Sequence, residues 1–446
     1  MTVFSRPARS GLFLACLAVL GLSGCEEKEV ILTGEREDLR PAEVQDATVR
    51  LDPRANTSRP IRLAAQRNNA EWAQSFGTPE YRTAHPALSS SPRRVWSVSI
   101  GQGDSRRQRI TASPVVGGGL IYTLDASALI SAVTPAGQVA WSTDLTPRTD
   151  GDEDATGGGM AYDDGVLYVS SGYGLLTALD AQSGEIRWQQ KLEATGSGQP
   201  LVRNGLIYLV AGDDTGWAIE TDTGRIAWQV LATPSIANVL GAPAPVVTGP
   251  LTVFAFGSGD LISTFRRGGL RRWDASVKGQ SVGSVVSRYG DITGAPVLVG
   301  KTLYIGNHSG RIAALSADSG ERLWTRHFGA VDPVWPAGGS LFVLTERSQL
   351  VRMNASDGAP VWVVELPHFV KDKPKKREEA YAHYGPILAG GQVITASNDG
   401  LLRFYAPEDG TQTMQIELPG GASSAPVVAG QTLYVVSSNG QLHAFR

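Results

Sequence analysis

Apolar and polar residues alternate with a period of two in short runs that recur along most of the chain. Residues 111–141, 198–228 and 294–324 follow one order. Each begins with a small-residue turn and a Pro, continues with an apolar strand that contains a Tyr, a Gly-bearing turn and a second apolar strand, and ends with a polar Gly turn and a Trp. Such alternation between closely spaced turns predicts three to four antiparallel strands per unit.

One eleven-residue segment, ALDAQSGEIRW at residues 178–188, returns as AIETDTGRIAW at 218–228 and as ALSADSGERLW at 314–324. The Gly of each copy supplies the positive φ angle that a tight hairpin needs. The Trp that begins the following strand is expected to cover the gap between neighbouring sheets, burying on the order of 200 Å². The segment therefore predicts scaffold and no chemistry.

Repeated units of about 40–50 residues are typical of β-propeller blades. Seven units end at Trp141, Trp188, Trp228, Trp273, Trp324, Trp362 and Met414. The last unit stops at Arg446 without a fourth strand, whereas residues 93–100 form an isolated strand that contains Trp96. We predict an all-β, eight-bladed β-propeller over residues 93–446, closed by an N-terminal strand that completes the last blade and so removes an exposed sheet edge.

The N-terminus has the pattern of a secretory signal. Arg6 and Arg9 precede an apolar run at residues 11–22, which is too short to span a bilayer well. The run ends in Leu-Ser-Gly-Cys, the lipobox pattern of bacterial lipoproteins, in which Cys25 is acylated, for example with palmitate. An ordinary cleavable signal followed by a chance Cys is the alternative.

These features predict a signal peptide over residues 1–24 and a lipid-anchored spacer over residues 25–92. The residue after Cys25 is Glu26 and not Asp. The absence of Asp at this position favours transfer of a lipoprotein to the outer membrane, on its periplasmic face. Once Cys16 is removed with the signal, Cys25 is the only Cys, so disulfides do not stabilise the fold.

Composition excludes several kinds of function. The 40 Lys and Arg against 43 Asp and Glu give a formal net charge of −3, without the basic face that nucleic-acid binding requires. The six His residues are scattered and lack metal-ligand spacing, so we predict no metal site, no cofactor and no catalytic residue. A Ser-His-Asp triad stays open at this stage, because its members meet only in space.

The repeats resemble the tryptophan-docking repeats of the pyrroloquinoline-quinone (PQQ) propeller superfamily, and the chain is similar to BamB-like lipoproteins in size, lipobox and blade number. That resemblance implies a non-enzymatic scaffold of the outer-membrane β-barrel assembly machinery, the Bam complex. Such a scaffold binds a POTRA domain of BamA and assists the delivery and insertion of nascent outer-membrane proteins. The alternatives are a PQQ-dependent periplasmic dehydrogenase and a periplasmic scaffold with another partner.

The resemblance also nominates partner-binding residues. The sequence RYGDITGAPV at residues 288–297 is similar to a motif of BamB-like proteins whose Asp helps bind BamA. The resemblance implies that Asp291 and Arg288 contact the partner. From residues 234–245 the resemblance adds Val239 and Leu240, although Leu240 stands where the family has an Arg. Turn capping is the alternative role of Asp291.

Three charged segments fit surface loops. Residues 370–385 carry five cations, residues 150–154 are acidic without the spacing of a calcium loop, and residues 266–273 read RRGGLRRW. The last segment is an exposed hairpin or, alternatively, a docking patch for carboxylates.

Overall fold

The structure, a computed structural model, describes residues 51–78, 82, 84–151, 153–194, 198–234, 242–278, 292–371 and 373–446. All of them belong to one compact unit, Val49–Arg446. The strands form eight four-stranded antiparallel sheets, which confirms the predicted eight-bladed β-propeller. In the described ranges, helical structure consists of the two short 3₁₀ turns Pro53–Ala55 and Pro374–Lys376, and no helix is long and apolar enough to span a bilayer.

The first four blades run in chain order. Blade 1 contains β2 (Val115–Gly117), β3 (Leu120–Leu124), β4 (Leu129–Val133) and β5 (Val139–Asp144). Blade 2 contains β6 (Gly158–Asp163), β7 (Val166–Ser171), β8 (Leu175–Asp180) and β9 (Ile186–Lys191). Blade 3 contains β10 (Leu201–Arg203), β11 (Leu206–Val210), β12 (Thr215–Glu220) and β13 (Ile226–Leu231). Blade 4 contains β14 (Val246–Thr248), β15 (Leu251–Ala255), β16 (Asp260–Phe265) and β17 (Arg271–Ser276).

The remaining blades continue the pattern. Blade 5 contains β18 (Gly294–Val299), β19 (Thr302–Asn307), β20 (Arg311–Ser316) and β21 (Arg322–Arg326). Blade 6 contains β22 (Trp335–Ala337), β23 (Ser340–Leu344), β24 (Gln349–Asn354) and β25 (Pro360–Glu365). Blade 7 contains β26 (His383–Ala389), β27 (Gln392–Ser397), β28 (Leu401–Tyr405) and β29 (Gln412–Glu417). Blade 8 contains β30 (Val427–Ala429), β31 (Thr432–Ser437), β32 (Gln441–Phe445) and, from the other end of the domain, β1 (Arg94–Ser99).

Closure of the ring follows the prediction. β1 pairs antiparallel with β32, with Trp96 opposite Ala444 and Ser99 opposite Gln441. The N- and C-terminal ends of the propeller are therefore neighbours within one sheet, and the edge of β32 is covered.

A tryptophan joins seven of the eight blades to the next. The indole N–H of Trp141, on the outer strand of blade 1, donates to the carbonyl of Ala181 in blade 2 at 3.1 Å. Equivalent bonds run from Trp188 to Thr221, Trp228 to Arg266, Trp273 to Ala317, Trp324 to Ala355, Trp362 to Pro407 and Trp96 to Pro135. Blade 7 has Met414 at this position, where it packs against the main core. The tryptophans therefore bridge the gaps between sheets, as the repeat predicts.

The hairpin glycines have two roles. Gly184, Gly224 and Gly320 have φ angles of 75°, 70° and 75°, which confirms the predicted left-handed turn. A Cβ atom on Gly224 would also lie 2.6 Å from the ring of Trp188 in the preceding blade. The glycine thus both turns the hairpin and leaves room for the neighbouring indole.

The described residues between 51 and 92 lie against the propeller. Trp72 and Phe76 are buried, and the backbone N–H of Trp72 donates to the carbonyl of Val116 on the innermost strand of blade 1. Gln74 bonds both backbone groups of Val202 on the innermost strand of blade 3.

Contacts on the other side of the ring come from the same segment. The side chain of Asn69 donates to the carbonyl of Val428 in blade 8 at 2.7 Å, and Gly390 of blade 7 donates to the carbonyl of Pro86. Because it reaches blades 1 and 3 as well as blades 7 and 8, the segment crosses the centre of the ring.

We expect Gly224→Ala to destabilise the fold more than Gly205→Ala. Gly205, in the same blade, has a φ angle of 77°, but the atom nearest to an added Cβ would be Thr221 Oγ1, at 3.9 Å. Both variants should lose about 1 kcal/mol to left-handed strain, and only Gly224→Ala should lose a further 1–3 kcal/mol, roughly, to overlap with Trp188. Urea unfolding measures both values, and equal losses would show that the indole contact does not limit this position.

Candidate functional site

The residues predicted from the sequence to bind a partner, Arg288, Asp291, Val239 and Leu240, lie outside the described residues, as does Cys25. Their flanking strands are described. The connection that contains Val239 and Leu240 leads from β13 to β14 in blade 4, and the one that contains Arg288 and Asp291 leads from β17 to β18 in blade 5. These connections enter neighbouring blades.

Both connections end at a central cavity. The cavity has a volume of about 910 Å³. Every blade lines it with residues of its innermost strand or of the connection that leads into that strand. They are Thr111, Gly158, Gln199, Pro243, Thr293, Asp332, Tyr384 and Ser424, in order from blade 1 to blade 8. Pro243 and Thr293 thus place the described ends of the two predicted partner connections on the same cavity wall.

The N-terminal segment contributes one end of this cavity through Trp72, Ser75 and Arg82. Trp72 stacks on Trp335 of blade 6 at a ring-centroid distance of 6.2 Å. The guanidinium of Arg82 lies 4.5 Å from the centroid of the Trp335 ring. Arg82 also donates from Nε to the carbonyl of Val334 at 2.9 Å and from Nη2 to that of Pro333 at 2.8 Å. The segment is therefore fixed to blade 6 as it crosses the ring.

Two charged groups line this cavity and affect each other electrostatically, the buried Arg82 and the half-buried Asp332. Burial raises the pKa of Asp332 to about 6, against the opposing effects of a hydrogen bond from the Gly385 N–H at 2.8 Å and the charge of Arg82. Burial also lowers the pKa of Arg82 to about 9, which the charge of Asp332 partly opposes. Burial likewise raises the pKa of Tyr384 on the same wall. The cavity thus contains a carboxyl group that titrates close to neutral pH.

Hydroxyl groups and a peripheral ion pair complete the lining. Asp104 accepts a hydrogen bond from the backbone N–H of Ile110 at 2.8 Å and forms an ion pair with Arg109 at 3.4 Å. In the part of the chain that the structure describes, the buried hydroxyls of Thr293 and Ser424 have no hydrogen-bond partner. The wall is polar enough to be hydrated.

The lining does not fit a metal-dependent redox centre. Within the described ranges, no group of three His, Cys, Asp or Glu side chains is placed to hold a metal ion. The carboxylates of Asp104 and Asp332 are each engaged by protein N–H groups. The described residues therefore do not offer the calcium site that a PQQ-dependent dehydrogenase needs.

Sequence reasoning missed Arg82 and Asp332. Asp332 does carry a signal, because it stands six residues before the two-residue first hairpin of its blade, where every other blade has an uncharged residue. Those residues are Ala112, Gly158, Gly198, Pro243, Gly294, Tyr384 and Ser424. Arg82 has no such signal in the sequence, because its position at the ring centre depends on long-range contacts of the N-terminal segment.

The acidic segment and the Lys-rich segment both contain local turns, and the Lys-rich segment reaches the cavity through Glu379 and Tyr384. In residues 150–154, Asp154 accepts a hydrogen bond from the Gly151 N–H at 2.6 Å, which makes a local turn. In residues 370–385, the guanidinium of Arg377 lies 4.9 Å from the ring centroid of Phe369, so the loop folds back on itself. Asp152 and Asp372 lie outside the described residues.

Comparisons with known proteins agree with one another. A family model described as "Outer membrane protein assembly factor BamB" matches residues 126–364 and 371–446. The protein of that name from Yersinia pestis is 24% identical over 362 residues, which cover 80% of this chain and 89% of that protein. Its namesake from Burkholderia pseudomallei is 26% identical over 366 residues, covering 79% and 88%.

Solved structures share the fold. The crystal structure of BamB from Moraxella catarrhalis matches with a TM-score of 0.67 and 16% identity, covering 80% of this chain and 100% of that chain. A quinohemoprotein alcohol dehydrogenase from Comamonas testosteroni matches with a TM-score of 0.61 and 14% identity, covering 84% and 80%. At these identities the likeness is one of fold alone.

We expect Asp332→Asn to make stability less dependent on pH. The pKa of Asp332 is higher in the folded state, so its favourable contribution is complete below about pH 4, the unfolded pKa, and is lost as the pH rises to about 6. Relative to wild type, the variant should gain about 2 kcal/mol between pH 4 and pH 7. Urea unfolding across this range tests the expectation. A difference that stays constant with pH would contradict it.

Proposed function

The chain belongs to the family of outer membrane protein assembly factor BamB, and we therefore propose that it is a non-enzymatic accessory subunit of the outer-membrane β-barrel assembly machinery. In this role the ring binds a POTRA domain of BamA and helps nascent outer-membrane proteins reach the machinery and insert. The family match over residues 126–364 and 371–446 carries the proposal, because it extends over most of the eight blades.

The contact with BamA is assigned to the rim of blades 4 and 5. Arg288 and Asp291 belong to the connection into β18, and Val239 and Leu240 belong to the connection into β14. Support comes from the described ends of these connections, Pro243 and Thr293, which line one cavity. Two connections that end so close together can present a single surface to a partner, with charged and apolar side chains side by side.

Nascent strands are assigned to the outer edges of the blades. On the outer strands Val139, Ile186 and Ile226 are 45%, 46% and 45% exposed. An outer strand has one unpaired backbone edge, to which an extended chain can add by β-augmentation. The proposal thus separates the partner surface, at the cavity rim, from the client surface, at the ring perimeter.

In this proposal the N-terminal residues determine where the protein is located in the cell. Residues 1–24 are removed as a signal peptide, Cys25 is acylated, and residues 25–92 connect the lipid to the propeller over residues 93–446. Acyl chains contribute roughly 0.8 kcal/mol per buried CH₂, so several chains hold the protein firmly at the periplasmic face of the outer membrane.

Arg288→Glu combined with Asp291→Lys should abolish co-purification of BamA with the tagged chain from solubilised membranes. Charge reversal removes hydrogen-bonded ion pairs from the contact and places like charges together, which costs several kcal/mol, on the order of 2–5. The matched control is Asp222→Lys with Arg225→Glu, which reverses two exposed charges on the hairpin of blade 3.

Three results are distinguishable in that experiment. Loss of BamA from the Arg288 and Asp291 variant alone supports the assignment. Retention of BamA by both variants removes those residues from the interface. If wild type itself retains a different protein and no BamA, the chain is a periplasmic scaffold with another partner, and the proposed function is wrong.

A PQQ-dependent dehydrogenase is the second candidate, favoured by the fold shared with the Comamonas testosteroni enzyme. We expect no turnover of alcohols or sugars when the purified chain is incubated with PQQ and Ca²⁺ in a dye-linked assay, because the described lining lacks a metal-ligand group. Turnover above the blank without PQQ would contradict this expectation and make the protein an enzyme.

A further inference from the structure

The hairpin between β16 and β17 differs from its equivalents in composition. We name residues 265–272 the basic hairpin; with Trp273 they read FRRGGLRRW, where blade 3 has ETDTGRIAW at residues 220–228. In blade 2, Asp180 Oδ1 caps the turn by accepting the N–H groups of Gln182 and Ser183, each at 3.0 Å. The basic hairpin has no such acid. It turns instead on two consecutive glycines, Gly268 and Gly269, with φ angles of 85° and 67°.

The joint between blades is nevertheless intact at this hairpin. The carbonyl of Arg266 accepts the indole N–H of Trp228 at 2.9 Å, and an added Cβ on Gly269 would lie 2.6 Å from the Trp228 ring. Two arginines have local partners: Nε of Arg266 donates to the carbonyl of Gly249, and Arg271 donates to that of Leu231. Folding of the hairpin therefore accounts for the glycines and for these two arginines.

Arg267 and Arg272 are left without a structural role. Both are exposed, and in the described part of the chain neither makes a hydrogen bond or an ion pair. Between them stands Leu270, which is 70% exposed and the most exposed large hydrophobic residue in the described ranges. Phe265, at the base of the hairpin, is 36% exposed. The basic hairpin thus presents exposed cationic and apolar side chains together.

We propose that the basic hairpin binds the headgroup layer of an anionic phospholipid bilayer. Guanidinium groups pair with phosphates in a bidentate geometry, and each cation close to such a surface contributes about 1 kcal/mol. Leu270 and Phe265 enter the boundary between headgroups and acyl chains, as the apolar faces of interfacial segments do.

A bilayer fits these side chains better than an acidic protein does. An acidic protein surface would satisfy the arginines but would leave the exposed side chain of Leu270 facing polar groups. A bilayer accepts both kinds of side chain at adjacent depths. Acylation of Cys25, as proposed above, would keep the hairpin near lipid, but the inference does not depend on it.

The test uses the chain from residue 25 onward with Cys25→Ser, so that no acyl group contributes to binding. Co-sedimentation is measured with vesicles of phosphatidylcholine alone and with vesicles of phosphatidylcholine and phosphatidylglycerol in equal amounts. In one variant residues 265–272 are replaced by ETDTGRIA from blade 3, which keeps the glycine at position 269 and Trp273. The exchange gives a net loss of three arginines and adds two acidic residues, and it should lower binding to the anionic vesicles by about tenfold or more.

Two further variants separate charge from folding. Arg267→Glu with Arg272→Glu changes only the two arginines without partners and should lower anionic-vesicle binding by about tenfold as well. Arg225→Glu, on the hairpin of blade 3, is the matched control and should bind as wild type does. Urea unfolding midpoints equal to that of wild type verify that each variant is folded.

The inference is overturned if wild type does not bind the anionic vesicles, if it binds phosphatidylcholine equally well, or if the hairpin exchange leaves binding unchanged. It is also overturned if the exchange removes a co-purifying protein while wild type fails to bind vesicles, because the hairpin would then be a protein contact. None of these results bears on BamA binding by Arg288 and Asp291, so the two proposals can fail separately.

Discussion

The contact between an indole and a glycine, present at seven of the eight blade boundaries, is the constraint on which the ring depends. The Trp of one outer strand needs a carbonyl to accept its N–H and a neighbour without a Cβ, and the next hairpin supplies both. Because a ring of eight sheets needs this joint repeatedly, the sequence repeats the residues that form it. The joint between blades 7 and 8 has Met414 in place of Trp. The N-terminal segment forms hydrogen bonds to both of these blades, through Pro86 to blade 7 and through Asn69 to blade 8.

That segment also determines the character of the central cavity. A propeller channel is polar because the first strands of all blades approach the axis with their ends exposed. Here Arg82 is carried into the centre and packed over Trp335, close enough to Asp332 for each charge to shift the pKa of the other. A propeller related by fold to dehydrogenases thus has a structural crossing at its centre, and among the described residues no group of three His, Cys, Asp or Glu side chains is placed to hold a metal ion. A shared fold does not by itself imply a shared chemistry.

Features of the fold that are encoded within each repeat could be predicted from the sequence, whereas those that depend on long-range contacts could not. Blade number, strand order and closure through Trp96 were predictable, because period-two alternation and the glycine and tryptophan positions are encoded within each repeat. The crossing of residues 51–92 was not, since Gln74 and Arg82 find their partners more than a hundred residues away and follow no period. Of the cavity residues, Asp332 alone stands out in the aligned repeats. The predicted partner residues rest on family resemblance, and their positions lie outside the described residues.

The two faces of the ring differ in how freely their loops vary. The first hairpin of every blade has two residues, and the hairpins before the outer strands have five residues in blades 1–6 and six in blade 7, because the indole joint fixes them. Connections from one blade to the next range from eight residues (327–334) to seventeen (277–293 and 366–382). A loop free of the joint can change length without opening the ring, so recognition by loop shape belongs to the connections between blades. The hairpins before the outer strands differ in length by at most one residue, so they vary mainly in their side chains. The basic hairpin keeps the five-residue length and its glycine and departs from the other blades in its side chains alone.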